Sequence, residues 1–376
     1  MTDEPEVRAL IPSGLHRRLS RRGFLSAVTA AGVTATLAAC AGGARGGTLN
    51  VYTWSDYDEP SVITDFSRRF GPRITVDSYG SNPEMIAKLA AGRGTTGYDI
   101  CVPTHSAIPQ MIKNNLLAKL DLDRLSNFHR LDPTVIDTKW DPGNRHSVCK
   151  DWGTTGYMYD TKKISGDPRS WADFLDLVKG DASGSVSLLE DQTEVAMTYF
   201  FAKGMNPNTT KRSELDAYRD YALKNMAPHV QKFSSSISTQ VANAEQALIH
   251  AWNGDARLGN MSAKDPKRYR FVYPTEGANL WQDNWAIVRG AQNPDAAYEF
   301  IDYVLRPDIS LREIEYIGYN TGVTGIRQMA EKKGVKMADL VFPSDDILKK
   351  LVYSETTSAD QEIVDIYNQI VAKAGA

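Results

Sequence analysis

Short apolar segments alternate with longer amphipathic segments along most of the chain. Segments 48–51, 74–79 and 98–103 are typical of strands, because they are short and rich in apolar or β-branched residues. Each is followed by a stretch with apolar positions at helical spacing, the first opening at Glu59 and Pro60. This alternation predicts an α/β fold with mainly parallel sheets flanked by helices.

The same alternation resumes after a polar connector at 121–144. Residues 147–159 are strand-like, and Gly153 and Gly156 within them suit a bend between two lobes. A further strand is predicted at 284–288. Apolar periodicity predicts helices at 194–204, 211–225 and 242–251. The chain of 376 residues is long enough for two lobes with separate cores.

Composition and motifs argue against several functions. The net charge is −3, and no basic stripe suggests nucleic-acid binding. Glycine-rich phosphate loops and the sequence patterns H-E-x-x-H and G-x-S-x-G are absent, and the six histidines are scattered. We therefore expect a binding protein rather than an enzyme, without a cofactor or a metal site.

The N-terminus carries an export signal. Arg21 and Arg22 form a twin-arginine pattern, and an uncharged apolar run follows from Phe24 to Ala39. The run is shorter than the roughly 20 residues that a membrane-spanning helix needs. It ends at small residues before Cys40, as in a lipobox. We predict a signal peptide at 1–40, lipidation of Cys40, a tether at 41–47, and a protein anchored on the outer face of the cytoplasmic membrane.

Two further cysteines, Cys101 and Cys149, remain in the exported chain. An oxidising compartment allows a disulfide between them. The alternative is a pair of buried free thiols.

Four short constellations place tryptophan or carboxylate side chains at predicted strand or helix ends. They are Trp54-Ser55-Asp56-Tyr57, Asp191 with Glu194, Trp252-Asn253-Gly254-Asp255, and Trp281-Gln282-Asp283 before the strand at 284–288. Core packing, helix capping and a helix stop at the Asn-Gly pair are the structural alternatives. Aromatic faces beside carboxylates also suit an alkyl polyamine, because rings attract cations and cover methylenes while the acids pair with ammonium groups.

At these residues the chain resembles the periplasmic spermidine/putrescine-binding proteins of ABC importers. The similarity covers nearly all of 48–374. It includes the Trp54 turn, residues 98–103, Leu131-Asp132-Pro133, Trp252-Asn253-Gly254, Trp281-Gln282-Asp283 and Ile317-Gly318-Tyr319.

The resemblance implies a two-lobed periplasmic-binding-protein fold of type II that closes on its ligand. The first lobe would comprise 48–154 plus 283–327, and the second 155–282 plus 328–376. Two strands would cross between the lobes, near Thr154 and again near Asp283.

The resemblance also implies a ligand site. Its aromatic box would be formed by Trp54, Trp252, Trp281 and Tyr319, with Tyr57 adjacent. Its ammonium-binding acids would be Asp56, Asp191, Glu194 and Asp283. Ser55 stands at a hydroxyl position beside the first tryptophan, and Thr104 begins a loop that contacts the ligand.

Three departures from the family pattern concern the length of the bound amine. Ser106 replaces a tyrosine, Ser354 replaces a glutamine, and Asp56 is one methylene shorter than the usual glutamate. The predicted function is a monomeric substrate-binding lipoprotein that delivers a polyamine to permease subunits with a cytoplasmic ATPase. The alternative is the same fold binding an amino acid, an opine or a sugar.

Overall fold

The computed structural model describes residues 47–92, 94 and 96–375, and the predicted signal peptide and nearly all of the tether lie outside this range. Ten strands form the sheet framework. They are β1 (Thr48–Trp54), β2 (Arg73–Tyr79), β3 (Ile100–Cys101), β4 (Ser147–Asp160), β5 (Val186–Leu188), β6 (Val230–Phe233), β7 (Leu248–Trp252), β8 (Tyr269–Val272), β9 (Ala278–Ile287) and β10 (Leu351–Tyr353).

Fourteen α-helices accompany these strands in the described residues. They are α1 (Pro60–Phe70), α2 (Asn82–Gly92), α3 (Ile108–Lys113), α4 (Trp171–Lys179), α5 (Gln192–Ala202), α6 (Arg212–Tyr221), α7 (Ile237–Asn243), α8 (Asn253–Ser262), α9 (Pro294–Val304), α10 (Pro307–Ile317), α11 (Ile326–Lys333), α12 (Ala338–Val341), α13 (Asp345–Leu348) and α14 (Asp360–Ala374).

The N-terminus of α1 follows from the local sequence. Glu59 is the N-cap, its carboxylate accepts the backbone N–H of Val62, and Pro60 occupies the first turn. Proline is favoured there because its fixed φ suits the helix and its missing N–H has no intrahelical partner to lose. The helix start predicted at Glu59 and Pro60 is confirmed.

The strands run in the order β2-β1-β3-β9-β4-β7-β5-β6, with β8 on β4 and β10 on β9. On one side, β1 pairs in parallel with β2 and β3. On the other side, β5 pairs in parallel with β6 and β7. The long strands β4 and β9 are antiparallel to each other and join the two sides. The predicted α/β class with mainly parallel sheets is confirmed.

Strand β4 changes its partner at one point along its length. Residues up to Thr154 pair with β9, and residues from Thr155 onward pair with β7. Two large apolar clusters lie on the two sides of this change, one containing Phe66 and Trp285 and the other containing Trp171 and Phe200. This arrangement is the two-lobed fold that the sequence predicts.

The C-terminal segment contributes to both clusters. Val341 and Phe342 pack in the first, whereas Ile363 and Ile366 pack in the second. Strand β10 joins β9 between them. The boundaries of the lobes remain a prediction.

Two sequence predictions are wrong, and one structural alternative is excluded. The helix expected at 242–251 is instead the end of α7 followed by strand β7. Trp281 and Asp283 lie inside β9 rather than before a strand. Trp252 ends a strand and Asn253 begins α8, so this segment is a helix start rather than a helix stop.

Of the two alternatives for Cys101 and Cys149, the disulfide is excluded and the pair of buried free thiols is confirmed. Strand β9 lies between their strands, with Cys101 opposite Ala286 and Cys149 opposite Asn284. Two strand spacings separate the Cα atoms by more than about 9 Å. A disulfide needs Cα atoms closer than about 7 Å.

Within the described residues, none of the helices combines the length and the apolar character that a membrane span requires.

Candidate functional site

An aromatic cluster lies where β4, β9 and the segment after α10 meet. Trp281 and Tyr319 form an edge-to-face pair with ring centroids 4.7 Å apart, and Tyr57 and Trp252 pack against them. The centroids of Tyr57 and Tyr319 are 6.3 Å apart. Four of the five predicted aromatic residues therefore converge.

Two glycines make room for these rings. A Cβ on Gly153 would lie 2.4 Å from the Trp281 ring, and a Cβ on Gly254 would lie 2.4 Å from the Tyr319 ring. Contacts below 3.0 Å essentially never occur for real Cβ atoms. Gly153 therefore admits an aromatic ring against a continuous strand, which is a different role from the bend expected between lobes.

One set of acids surrounds the hydroxyl of Tyr57, and we call it the Asp283 group (Tyr57, Thr104, Asp151 and Asp283). The hydroxyl lies 2.5 Å from Oδ1 of Asp151 and 2.9 Å from Oδ2 of Asp283. The backbones of Thr104 and Asp283 form an isolated antiparallel β-bridge. Oδ1 of Asp283 is buried and makes no hydrogen bond within the described residues.

Burial decides the electrostatics of this group. It raises the pKa of Asp283 to about 7, and the neighbouring charge of Asp151 acts in the same direction. Burial also raises the pKa of Asp151 to about 6, although Lys150 opposes the shift. The buried carboxyls favour their neutral form unless a cation arrives.

A second set of acids, the Glu194 group, lies at the start of α5 and comprises Asp191, Glu194, Thr155, Trp252 and Asn279. Oε1 of Glu194 accepts hydrogen bonds from Thr155 and Asn279 at 2.8 Å and from the Trp252 indole at 3.4 Å. Asp191 caps α5 through the backbone N–H groups of Thr193 and Glu194.

The capping alternative for Asp191 is thus confirmed, and the hydrogen bonds that Glu194 accepts from other described residues all go to Oε1. Burial, followed by the charge of Asp191, raises the pKa of Glu194 to about 7. The pKa of Asp191 is also raised by burial. A cation at this end would favour the ionised form of both acids.

The Asp283 group and the Glu194 group lie at different positions along the paired strands β4 and β9. Asp283 stands opposite Asp151, and Asn279, which binds Glu194, lies four residues earlier on β9. Four residues of a strand span about 13 Å. The aromatic ring of Trp281 lies between them on the same strand. The site is therefore elongated, with carboxylates at both ends and aromatic rings between.

Trp54, Ser55 and Asp56 are placed differently from the prediction. Trp54 packs on Tyr79 with centroids 4.6 Å apart, outside the cluster of the other rings. Ser55 and Asp56 are exposed, and Asp56 has a φ of 53°. Their roles in ligand binding remain predictions.

The two serines that depart from the family pattern lie near each other. The backbone oxygen of Ser354 contacts Nε2 of His105 at 2.8 Å, and the backbone oxygen of Ser106 accepts a hydrogen bond from Thr356. Ser354 is buried beside β10, and Ser106 is only half-buried. Contacts between side chains and backbone oxygens therefore join the 104–107 turn to the segment after β10.

Sequence reasoning missed Asp151 and gave no site role to Asp255. Asp255 accepts the hydroxyl hydrogen of Tyr319. Desolvation raises the pKa of Asp255 to about 6. Its place in the Trp252-Asn253-Gly254-Asp255 motif was a usable signal, whereas Asp151 gave none because its importance depends on its position opposite Asp283.

Lys150 was missed as well, and it lies directly behind the Asp283 group. Its side chain is 2% exposed, and Nζ lies 3.3 Å from Asp58 and 3.4 Å from Asp151. It also donates to the carbonyl of Tyr57 at 2.8 Å. Burial alone would lower the pKa of Lys150, but Asp58, Asp151 and Glu313 together raise it. One buried cation therefore faces several buried carboxyls, and the site attracts positive charge.

We expect the ligand-free protein to lose stability as the pH rises from about 6.5 to about 8.5. Burial raises the pKa of Asp283 and Glu194 to about 7 and that of Glu313 to about 8. In the unfolded chain these groups release their protons near pH 4. The folded state therefore binds more protons in this window, and the free energy of unfolding falls by on the order of 2 kcal/mol.

Urea denaturation at several pH values measures this change. The buried His105 and His250 are neutral in the folded state but lose their last protons in the unfolded chain in the lower part of this window, so they oppose the change by less than about 1 kcal/mol. A free energy of unfolding that rises across the window would contradict the shifted carboxyls.

Comparison with known proteins adds independent evidence. The family model described as bacterial extracellular solute-binding protein matches residues 61–342. The spermidine/putrescine-binding periplasmic protein of Escherichia coli is 30% identical over 330 residues, which are 87% of this chain and 92% of that protein. The putrescine/agmatine-binding protein of Pseudomonas aeruginosa is 30% identical over 346 residues, which are 88% and 92%.

A solved structure agrees with these relatives. The spermidine/putrescine ABC transporter substrate-binding protein of Streptococcus pneumoniae matches with a TM-score of 0.75 and 25% sequence identity, over 87% of this chain and 99% of that chain. Fold and site together define a two-lobed solute-binding protein. The chain belongs to the bacterial extracellular solute-binding protein family, and the resemblance inferred from its motifs is confirmed.

Proposed function

We propose that this protein is the solute-binding component of an ABC importer that captures a polyamine between its lobes. The observation that carries the proposal is the buried Oδ1 of Asp283, which has no hydrogen-bond partner among the described residues and lies at one end of an elongated site whose other end holds Glu194. A buried carboxylate without a partner is costly, so the site favours a ligand that brings a cation.

The rings between the two acid groups support an alkyl chain between the cations. Trp281 and Tyr319 offer apolar faces, and a cation over such a ring gains about 0.5–2 kcal/mol. An extended chain rises about 1.2 Å per bond, so the nine bonds between the end nitrogens of spermidine span about 11 Å. This length is comparable with the separation of the two acid groups along β9.

Transport follows from closure of the lobes around the amine. We place the crossings near Thr154 and Asp283, with the first lobe at 48–154 plus 283–327 and the second at 155–282 plus 328–376. The change of partner in β4 after Thr154 supports this assignment. The closed form then presents the amine to the permease, and the protein acts as a monomer without chemistry of its own.

Calorimetric titration near pH 8 tests the function. The ligand panel is putrescine, agmatine, cadaverine, spermidine and spermine, with γ-aminobutyrate, arginine and maltose as controls. We expect micromolar or tighter binding of at least one polyamine, weakened by salt because ion pairs carry the affinity. If no amine in the panel binds while a control ligand does, the proposal is overturned.

We also propose that the protein leaves the cytoplasm by the twin-arginine route and is anchored through Cys40. Replacing Arg21 and Arg22 by lysine is expected to retain the precursor in the cytoplasm. Cys40→Ala is expected to abolish labelling by radioactive palmitate and to move the protein from the membrane fraction to the soluble fraction. Undiminished labelling of Cys40→Ala would contradict the anchor.

A further inference from the structure

Tyr57 bridges two carboxyls with a single hydroxyl. Its oxygen lies 2.5 Å from Asp151 and 2.9 Å from Asp283, and both are hydrogen-bond distances. A phenol carries one hydrogen and can donate it to only one acceptor at full strength. Two oxygens 2.9 Å apart without a hydrogen between them would repel, so the second contact requires a proton of its own.

The neighbouring charges decide which carboxyl holds this proton. Nζ of Lys150 lies 3.4 Å from Oδ2 of Asp151 and stabilises that carboxyl as an anion. Asp283 forms no ion pair within the described residues and is 4% exposed. Asp283 is therefore the neutral partner in the ligand-free protein near pH 6.

We propose that Asp151 is a positioning residue for amine binding, an inference that rests on the function proposed above. Asp151 accepts the hydrogen bond of the Tyr57 phenol, so that the phenol oxygen accepts a hydrogen bond from the protonated carboxyl of Asp283. When a ligand ammonium reaches Oδ1 of Asp283, the O–H bond of Asp283 breaks. The electron pair stays on the carboxylate, the proton leaves to solvent, and the ammonium keeps its three hydrogens.

After this exchange a cation offsets the charge of each carboxylate, so the contact that lacks the phenol hydrogen is no longer an uncompensated repulsion. The ammonium pairs with Asp283, and Lys150 pairs with Asp151. The phenol hydrogen of Tyr57 is free to turn to either carboxylate. A neutral or anionic solute cannot displace the proton in this way, so the arrangement selects cations.

Other titratable groups face the three residues and act on the same equilibrium. They are Lys150 and Cys149 on β4, Asp58 after β1, Tyr79 on β2, Glu313 on α10 and Tyr319 after α10. Lys150 favours ionisation of Asp283, whereas Asp151 opposes it. Burial has the largest influence and raises the pKa of Asp283 to about 7.

The consequence is an affinity that depends on pH. Only the ionised form of Asp283 accepts the ammonium, so the apparent affinity falls about tenfold for each pH unit below the pKa of Asp283. Binding near pH 6 should release about one proton from Asp283 for each ligand.

The test compares wild type with Asp151→Asn by calorimetry in phosphate and MES buffers near pH 6, whose different ionisation heats report the protons released. The substitution removes the negative charge that opposes ionisation of Asp283. We therefore expect fewer protons released near pH 6, and an affinity loss between about pH 8.5 and about pH 6 at least about threefold smaller than in wild type. Glu194 also releases a proton, but it contributes equally to both proteins and cancels. Asp151, with a pKa of about 6, can itself release up to about half a proton in wild type, so the expected decrease exceeds half a proton per ligand.

A purely structural role of Asp151 would weaken binding equally at both pH values and leave the proton count unchanged, and that result would overturn the proposal.

Infrared spectra of the ligand-free protein supply a second measurement. Glu194 and Glu313 also absorb as protonated carboxyls near pH 6, so we expect the intensity of the protonated-carboxyl band to fall by the share of one carboxyl in Asp283→Asn and by less in Asp151→Asn. If no amine binds to wild type at any pH, the proposed function fails and proton release fails with it. The infrared band still decides whether Asp151 sets the protonation of Asp283.

Discussion

Replacing Lys150 by methionine is expected to lower the free energy of unfolding by about 3–5 kcal/mol, the usual result of removing one partner from a buried ion pair. Methionine fills a similar volume but leaves Asp58, Asp151 and Glu313 without their cation. Each of these carboxyls is less than 9% exposed, so water cannot replace the ammonium. The lysine also lies over the rings of Tyr57 and Trp285, at 4.4 and 4.8 Å from their centroids.

Urea denaturation of the ligand-free protein near pH 8 measures this loss. Lys349→Met is the matched control, because Lys349 is 73% exposed and pairs only with the exposed Asp346 among the described residues. Exposed pairs contribute about 0–1 kcal/mol. Equal stability of the two variants would mean that the buried charges around Lys150 carry no net stabilisation.

Asp283→Asn is expected to weaken polyamine binding by at least tenfold near pH 8. Asparagine keeps the shape of the side chain but removes the charge that pairs with an ammonium group. A hydrogen bond to a charged group contributes about 1.5–3 kcal/mol, which corresponds to a factor of about 10–150 in the dissociation constant. Calorimetric titration with the tightest-binding polyamine measures the change.

Measuring the free energy of unfolding of Asp283→Asn distinguishes a loss of polyamine affinity from misfolding of the variant. The raised pKa of Asp283 means that the buried carboxylate destabilises the folded state near pH 8, so Asp283→Asn should be at least as stable as wild type there. Asp346→Asn is the control for charge alone, since Asp346 is 91% exposed. An unchanged dissociation constant for Asp283→Asn would remove Asp283 from the site.

The sequence was sufficient for the fold class, because short apolar strands and amphipathic helices carry different periodicities. It failed for β7, where Leu248, Ile249 and Ala251 are all fully buried. A strand buried on both faces shows no alternation and cannot be distinguished by period from a buried helix. The two faces of β7 are buried by different clusters, since Leu248 packs in the cluster of Trp171 and Phe200, whereas Ile249 and Ala251 pack in a cluster with Ile237 and Val241.

The site residues also divide into those that local sequence patterns predict and those that only the tertiary structure reveals. Trp281, Tyr319 and Glu194 were predictable from motifs, since each stands in a recognisable local pattern. Asp151 was not, because an acid beside a tryptophan occurs at several places in the chain. Only the register that sets Asp151 opposite Asp283 makes it part of the site.

The order in which the strands are made has a consequence for biosynthesis. Strand β3 has β1 on one side but must wait for β9 on the other, and Ile100 pairs with Ile287. The early part of β4 likewise has no partner until β9 has been translated. Contacts so distant in sequence slow folding because loop closure precedes the gain from pairing. The first sheet can therefore be completed only after most of the chain has emerged from the ribosome, and until then its unpaired strand edges need protection from aggregation.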